Sequence, residues 1–152
     1  MTASMTDIEA RRRWMAVLAK AESDELETAW TELGSVPDYR VLRGPELGLV
    51  MVRGRAGGTG ARFNLGEMTV TRCTVELADG AVGHAYIRGR RRRHAEIAAV
   101  LDALLQDPRC RAAVGERVVE RLAAAEAARR QTAEARSAAT RVDFLTLVRG
   151  ED

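Results

Sequence analysis

The sequence predicts an α+β fold, and three observations carry that prediction. Apolar residues recur at helical spacing near both ends of the chain. The stretch 39–88 reads as a strand region, with Met68–Leu77 rich in β-branched residues. Within it, Asp79-Gly80 is a strong hairpin turn signal. The expected architecture is two N-terminal helices, an antiparallel sheet of about four strands and a helix covering that sheet. A long protruding C-terminal helix and a partner-docking tail follow. One domain spans residues 1–152, with 107–152 as a helix-and-tail extension.

Thr6 and Glu9 form a capping box that opens the first helix, with Ile8, Trp14, Met15 and Leu18 as its apolar positions. Ser23 is the expected cap of the second helix, and Asp24 and Glu25 suit its positive end. Leu26, Ala29, Trp30 and Leu33 form its stripe, and Gly34 ends it. Tyr39–Leu42 and Leu47–Val52 flank Arg43-Gly44-Pro45-Glu46, which predicts a hairpin. A glycine-rich loop, Gly54–Gly66, leads to the strand Met68–Leu77, with Thr71, Cys73, Val75 and Leu77 on one face. Val82–Arg88 returns as the next strand, which Gly83 weakens.

Ile97, Val100, Leu101, Leu104 and Leu105 recur at the spacing of a helix that covers a core. Asp107-Pro108 ends that helix and starts the last one, which runs to about Ala138. Its stripe of Val114, Val118 and Leu122 is narrow, so it is expected to bury little on its own domain. An apolar, β-like tail, Val142–Val148, follows.

Composition excludes several classes. The 152 residues are 46% apolar and 30% charged, the balance of a soluble globular domain. Such a chain buries about 68–70% of its unfolded surface and needs no staples. No run reaches the roughly 20 apolar residues that cross a bilayer, and the first residues carry no secretory core. Cys73 and Cys110 give neither a disulfide framework nor metal-ligand spacing. The expected setting is cytoplasmic and reducing, with no membrane. The net charge is +2, but 23 of the 24 basic residues are arginines. Lysine chemistry would have to use Lys20, whereas planar pairing with carboxylate or phosphate has many candidates.

Two motifs bear on chemistry. The loop Gly54–Phe63 has no Lys-Ser/Thr for a Walker motif and has Phe63 where a dinucleotide fingerprint needs its third glycine. It remains either a mobile connection or an anion cradle of backbone amides flanked by Arg55 and Arg62. The run Arg88–Glu96 sets arginines at a helix start, where the dipole opposes them. A bound anion or an acidic partner face would remove the conflict; a solvated basic patch is the plain alternative. Phosphate neutralisation by nucleic acid is a further reading, opposed by the near-zero net charge and the scattered aromatics. His94-Ala95-Glu96 matches a zinc-deaminase H-x-E, but its cysteine partner motif is absent. No metal site and no catalytic set emerges. The residues point to a small subunit with docking surfaces; the alternative is a stand-alone arginine-rich module for anions or nucleic acid.

Several blocks together resemble the PhnG subunit family of the bacterial carbon–phosphorus lyase core complex. They are Arg13–Ala19, Gly57–Phe63, Thr69–Arg72, Asp79-Gly80 with Gly83, Gly89-Arg90 with His94-Ala95-Glu96, and Arg141–Gly150. Arg91-Arg92-Arg93 departs from the family pattern, which leaves Arg90, His94 and Glu96 as a candidate polar cluster. The resemblance implies a non-catalytic or co-catalytic role in making α-D-ribose 1-methylphosphonate 5-triphosphate from ATP and a phosphonate. It implies a PhnI-like large subunit, PhnH- and PhnJ-like subunits and ATP-binding-cassette-type partners, with ATP used by the complex and no cofactor held by this chain. Gly57, Gly58, Thr59, Gly60 and Arg62 are then the ligand-or-partner loop, and Val142, Phe144, Leu145, Leu147 and Arg149 the docking tail.

Overall fold

The inner face of one strand organises the molecule. In the computed structural model, which describes residues 5–140, Thr71, Cys73, Val75 and Leu77 are all buried on that face, as their alternation predicts. They belong to β2 (Phe63–Leu77), which lies between β1 (Tyr39–Gly54) and β3 (Val82–Arg88) in an antiparallel sheet of order β1-β2-β3. The helices are α1 (Met5–Lys20), α2 (Ser23–Leu33), α3 (Arg92–Gln106), α4 (Pro108–Val114) and α5 (Arg121–Ala139). A π-helical turn, Gly115–Glu120, joins α4 to α5, and a 3₁₀ turn, Ala56–Gly58, lies between β1 and β2.

The described sheet has three strands rather than four, because Arg43-Gly44-Pro45-Glu46 does not reverse the chain. β1 runs through it, with register shifts between Val41 and Arg43 and between Arg43 and Glu46. Bulges absorb the extra residues, and an edge strand tolerates a proline that lacks an N–H. Arg92 Nη1 donates to the Pro45 carbonyl at 2.6 Å, and Glu46 Oε1 takes Arg43 Nε at 3.0 Å and Arg72 Nε at 2.6 Å. The expected reversal is thus an irregular stretch of edge, pinned by three arginines.

The other turns follow the sequence. Asp79 Oδ1 accepts the Ala81 N–H at 3.0 Å, and Gly80 takes φ 89°, so the β2–β3 reversal sits where it was expected. Thr71 Oγ1 donates to the Gly89 carbonyl at 2.6 Å and accepts from the Arg91 N–H at 2.9 Å, which orders the entry to α3. Asp107 caps α4 through the Arg109 N–H at 2.9 Å, with Pro108 as the first helical residue.

α3 covers the sheet's inner face and is buried along most of its length. It approaches β3 so closely that a Cβ on Gly83 would stand 1.9 Å from the Ala99 carbonyl oxygen and 2.6 Å from the Ala103 nitrogen. Gly83 therefore permits the helix–sheet contact instead of merely weakening its strand. α1 and α2 pack through Trp14, Leu18, Leu26 and Ala29, while Ile8, expected in the apolar stripe, is exposed.

The C-terminal helix buries more than its stripe predicts. Val114, Val118, Val119 and Leu122 all join the same core. The π-helical turn carries the gain, since it places the adjacent Val118 and Val119 both inside. Ion pairs Arg13–Glu120, Glu32–Arg121 and Glu25–Arg129 tie this helix to α1 and α2. From Gln131 to Thr140 the residues are exposed, so only this last part stands clear of the core.

One buried charge joins the layers. Asp102 of α3 is fully buried. Its Oδ1 accepts from Arg11 Nε at 3.1 Å and Trp14 Nε1 at 2.9 Å. Its Oδ2 accepts from Arg11 Nη2 at 2.7 Å and the His84 backbone N–H at 2.9 Å. Four donors from α1 and β3 thus meet one carboxylate. Asp102→Ala should lower the free energy of unfolding by about 3–5 kcal/mol, because it strands a part-buried guanidinium, an indole N–H and a backbone N–H. Urea denaturation of the purified chain measures this; a loss under about 1 kcal/mol would show that the network is dispensable.

Candidate functional site: the β1–β2 arm and the start of α3

β3 pairs only with Val70–Glu76 of β2. Beyond that point β1 and β2 continue alone, Leu49 opposite Thr69 through Gly54 opposite Phe63. This two-stranded arm carries the glycine-rich loop at its tip. Gly57 (φ 63°) and Gly60 (φ 94°) hold left-handed backbone that favours glycine. Thr59 and Arg62 are exposed, as are Arg53 and Arg55. No helix follows the loop, since Phe63 begins β2 directly.

The β1 side of the arm's inner face is apolar. Directly paired residues of an antiparallel ladder share a face. Leu47, Leu49 and Met51 pair with Thr71, Thr69 and Glu67, so they continue the core-facing side of β2 past the end of its helical cover. Leu49 is 63% exposed and Met51 55%. Phe63 (48%) and Leu65 (57%) extend the apolar surface toward the tip. The alternation Leu47-Gly48-Leu49-Val50-Met51 marked a strand with one apolar face, but the sequence carried no signal that the face would be left open.

The polar residues at the start of α3 have separate partners. Arg90 is exposed. His94 is buried between the end of α1 and the start of α2. Its Nε2 lies 2.8 Å from the Leu18 carbonyl, which can only accept, so this nitrogen carries the proton. Nδ1 then accepts from the Ser23 hydroxyl at 3.1 Å. Ser23 is thus spent on His94 and does not cap α2, whose N-cap is Glu22. Glu96 instead accepts from the Tyr39 hydroxyl at 2.7 Å, tying α3 to β1. The adjacent arginines are also engaged: Arg93 pairs with Glu27 at 3.3 Å and lies 5.8 Å from the Trp30 ring centroid.

Burial decides the protonation of these groups. It pushes the His94 pKa below the ordinary value, outweighing the bond to the Leu18 carbonyl. Burial raises the Cys73 thiol to about 11, helped by the Glu96 charge, which leaves the thiol protonated and unreactive. Burial also raises the Tyr39 hydroxyl, again with Glu96 beside it. Among the described residues, no group of three or more His, Cys, Asp or Glu side chains is placed to hold a metal ion, and no helix is long and apolar enough to cross a membrane. Val142, Phe144, Leu145, Leu147 and Arg149 lie outside the described residues.

Asp102, Arg11, Tyr39 and the open arm were not singled out from the sequence. Asp102 had one available signal, as the only charged residue in the apolar run Ile97–Leu105.

Comparison with known proteins places these features in a family context. The family model described as "Phosphonate metabolism protein PhnG" matches residues 9–150. A relative from Rhizobium meliloti (strain 1021), named "Alpha-D-ribose 1-methylphosphonate 5-triphosphate synthase subunit PhnG", is 47% identical over 154 residues. The match covers 99% of this chain and 96% of that relative.

His94 makes stability depend on pH. Its folded pKa lies below the unfolded value of about 6.5, so its contribution is complete above that pH and is lost as pH falls toward the folded pKa. The slope below pH 6.5 is at most about 1.4 kcal/mol per unit for this one group. His94→Gln should cost about 1–3 kcal/mol at pH 7.5 and flatten that slope. Denaturant melts of both chains at pH 7.5 and 5.5 test it; parallel pH profiles would remove His94 from the account.

Proposed function

The chain belongs to the PhnG family of phosphonate metabolism proteins, and we propose that it serves as a subunit of an α-D-ribose 1-methylphosphonate 5-triphosphate synthase in organophosphonate breakdown. The observation that carries this reading is the near-complete overlap with the Rhizobium meliloti subunit, with almost no chain left over on either side. In the proposed reaction the assembled enzyme uses ATP. A phosphonate oxygen bonds to the ribose anomeric carbon while the bond from that carbon to adenine breaks. A PhnI-like large subunit supplies the catalytic groups, with PhnH- and PhnJ-like subunits and ATP-binding-cassette-type proteins as further partners. The setting is the cytoplasm.

The described side chains support a contribution of shape rather than chemistry. His94 uses both ring nitrogens internally, Glu96 holds Tyr39, His84 Nδ1 sits 3.2 Å from Thr74 Oγ1, and the Cys73 thiol is buried and protonated. Arg92 and Arg93 are occupied by Pro45 and Glu27, so two cations that a stand-alone nucleic-acid module would want free are committed to the fold. What faces outward is the arm, whose tip loop of Gly57, Gly58, Thr59, Gly60 and Arg62 is proposed to reach a phosphate-bearing ligand or the rim of a partner's active site. Arg62 would pair with an anionic oxygen there.

The deciding experiment is co-expression with the neighbouring phosphonate-operon subunits, followed by affinity purification and assay of triphosphate formation. The isolated chain should show no turnover, and the subunit set should lose activity when this chain is left out. Clear turnover by the highly purified chain alone would overturn the proposal. The apolar residues Val142, Phe144, Leu145, Leu147 and Val148 fall within seven positions and are flanked by Arg141 and Arg149, which makes this segment a proposed partner anchor. Deleting 141–152 should leave a folded, soluble chain that no longer joins the complex. If the truncated chain unfolds by itself, the segment belongs to the chain's own core.

A further inference from the structure

We infer that the inner face of the β1–β2 arm is the seat of a second, non-identical subunit of the same synthase, one that presents an apolar cleft bordered by carboxylates. The inference rests on the subunit reading above and adds the surface and the chemistry of its partner.

The apolar strip is a direct consequence of the sheet outrunning its cover. β3 makes its last pairing with Val70, yet the inward-facing side of β1 continues through Leu49 and Met51. Exposed apolar surface of this continuity, on an unpaired edge strand, marks an interaction site in a soluble protein.

Charge selects the occupant. Arg53, Arg55 and Arg62 lie toward the tip, where no residue from Val52 to Gly66 is acidic; the arm's one carboxylate, Glu67, lies further back, opposite Met51. Two copies of the arm laid parallel and in register would bring arginine against arginine, which opposes that self-pairing and favours a partner with carboxylates at the corresponding positions. Size agrees. Six to seven residues per strand extend about 20 Å, and two strands about 10 Å wide offer roughly 200 Å² on one face. That is far below the roughly 800 Å² per partner of a stable interface. A flat contact with a second copy is therefore too small. A cleft that takes the arm in, covering both faces and the β1 edge, buries several times more.

The test uses the full-length chain co-expressed with the other synthase subunits. Leu49→Glu with Met51→Glu places carboxylates on the strip at positions that make no contribution to the core. Alone, this variant should melt within a few degrees of the parent, as surface substitutions do. Its recovery in the purified complex should fall about tenfold or more, because an unpaired charge buried at an apolar interface costs at least a decade of affinity. Arg53→Glu with Arg55→Glu is the second variant, and it too should reduce recovery, with the remaining association more sensitive to salt. Wild-type recovery of the folded leucine–methionine variant would overturn the inference. If that variant fails to fold, wild-type recovery of the arginine variant overturns it equally. A purified parent chain that elutes as a dimer, with the dimer lost in the variants, would assign the face to a second copy and also overturn it. Failure of the parent chain to join any synthase subunit would instead remove the subunit reading beneath it.

Discussion

The Asp102 carboxylate is the interaction on which the fold's relative placement depends. It sits in the middle of α3, the most buried helix, and takes donors from α1 and from the β3 backbone. Apolar packing alone is non-directional and would let helices slide on a sheet. A carboxylate with four fixed donors does not, because a small shift leaves a buried polar group unpaired. Gly83 completes the constraint. It lets α3 come close enough to β3 for the His84 N–H to reach Asp102, so the side chain missing at one position and the charge at another are parts of one contact.

That tight base sets up the contrast with the arm. α3 and β3 hold the lower half of β2 rigidly from both sides, whereas the upper half has only β1 beside it. A two-stranded ribbon in isolation is marginal in water. Anchored at one end to a packed core, it can present an apolar face without collapsing onto its own domain. The π-helical turn works in the opposite sense at the C-terminal helix: it turns two neighbouring valines inward and recruits to the core a segment that its sequence stripe would leave loosely attached.

The arginine-rich start of α3 shows how a local electrostatic conflict is resolved by tertiary acceptors. The helix dipole opposes cations there. Arg92 meets the Pro45 carbonyl and Arg93 meets Glu27 and the face of Trp30, so the charges that look like a ligand site hold β1 and α2 against the helix start. His94 does the same for the α1–α2 junction as a neutral, buried imidazole. Arg92, Arg93, His94 and Glu96, which this region displays in sequence, thus have partners within the fold.

Helix and strand periods, the Asp79-Gly80 reversal, the buried alternation from Thr71 to Leu77, the α3 stripe and the family-specific blocks were all determined by the sequence itself. Each is written within a short window, and backbone geometry translates it directly. Tertiary structure decided the rest, because burial depends on what stands opposite. Arg43-Gly44-Pro45-Glu46 carries turn residues, yet it runs on as a bulged edge because β2 pairs with both of its sides and Arg92 takes up a freed carbonyl. Asp102 stands out in sequence only as a charge within an apolar run, and α1 and β3 bring it its donors. Leu47, Leu49 and Met51 read as one strand of a hairpin, and only the assembled sheet shows them exposed. The same alternation is therefore interior at one end of β2 and open arm at the other, and only the length of the helix laid across it separates the two.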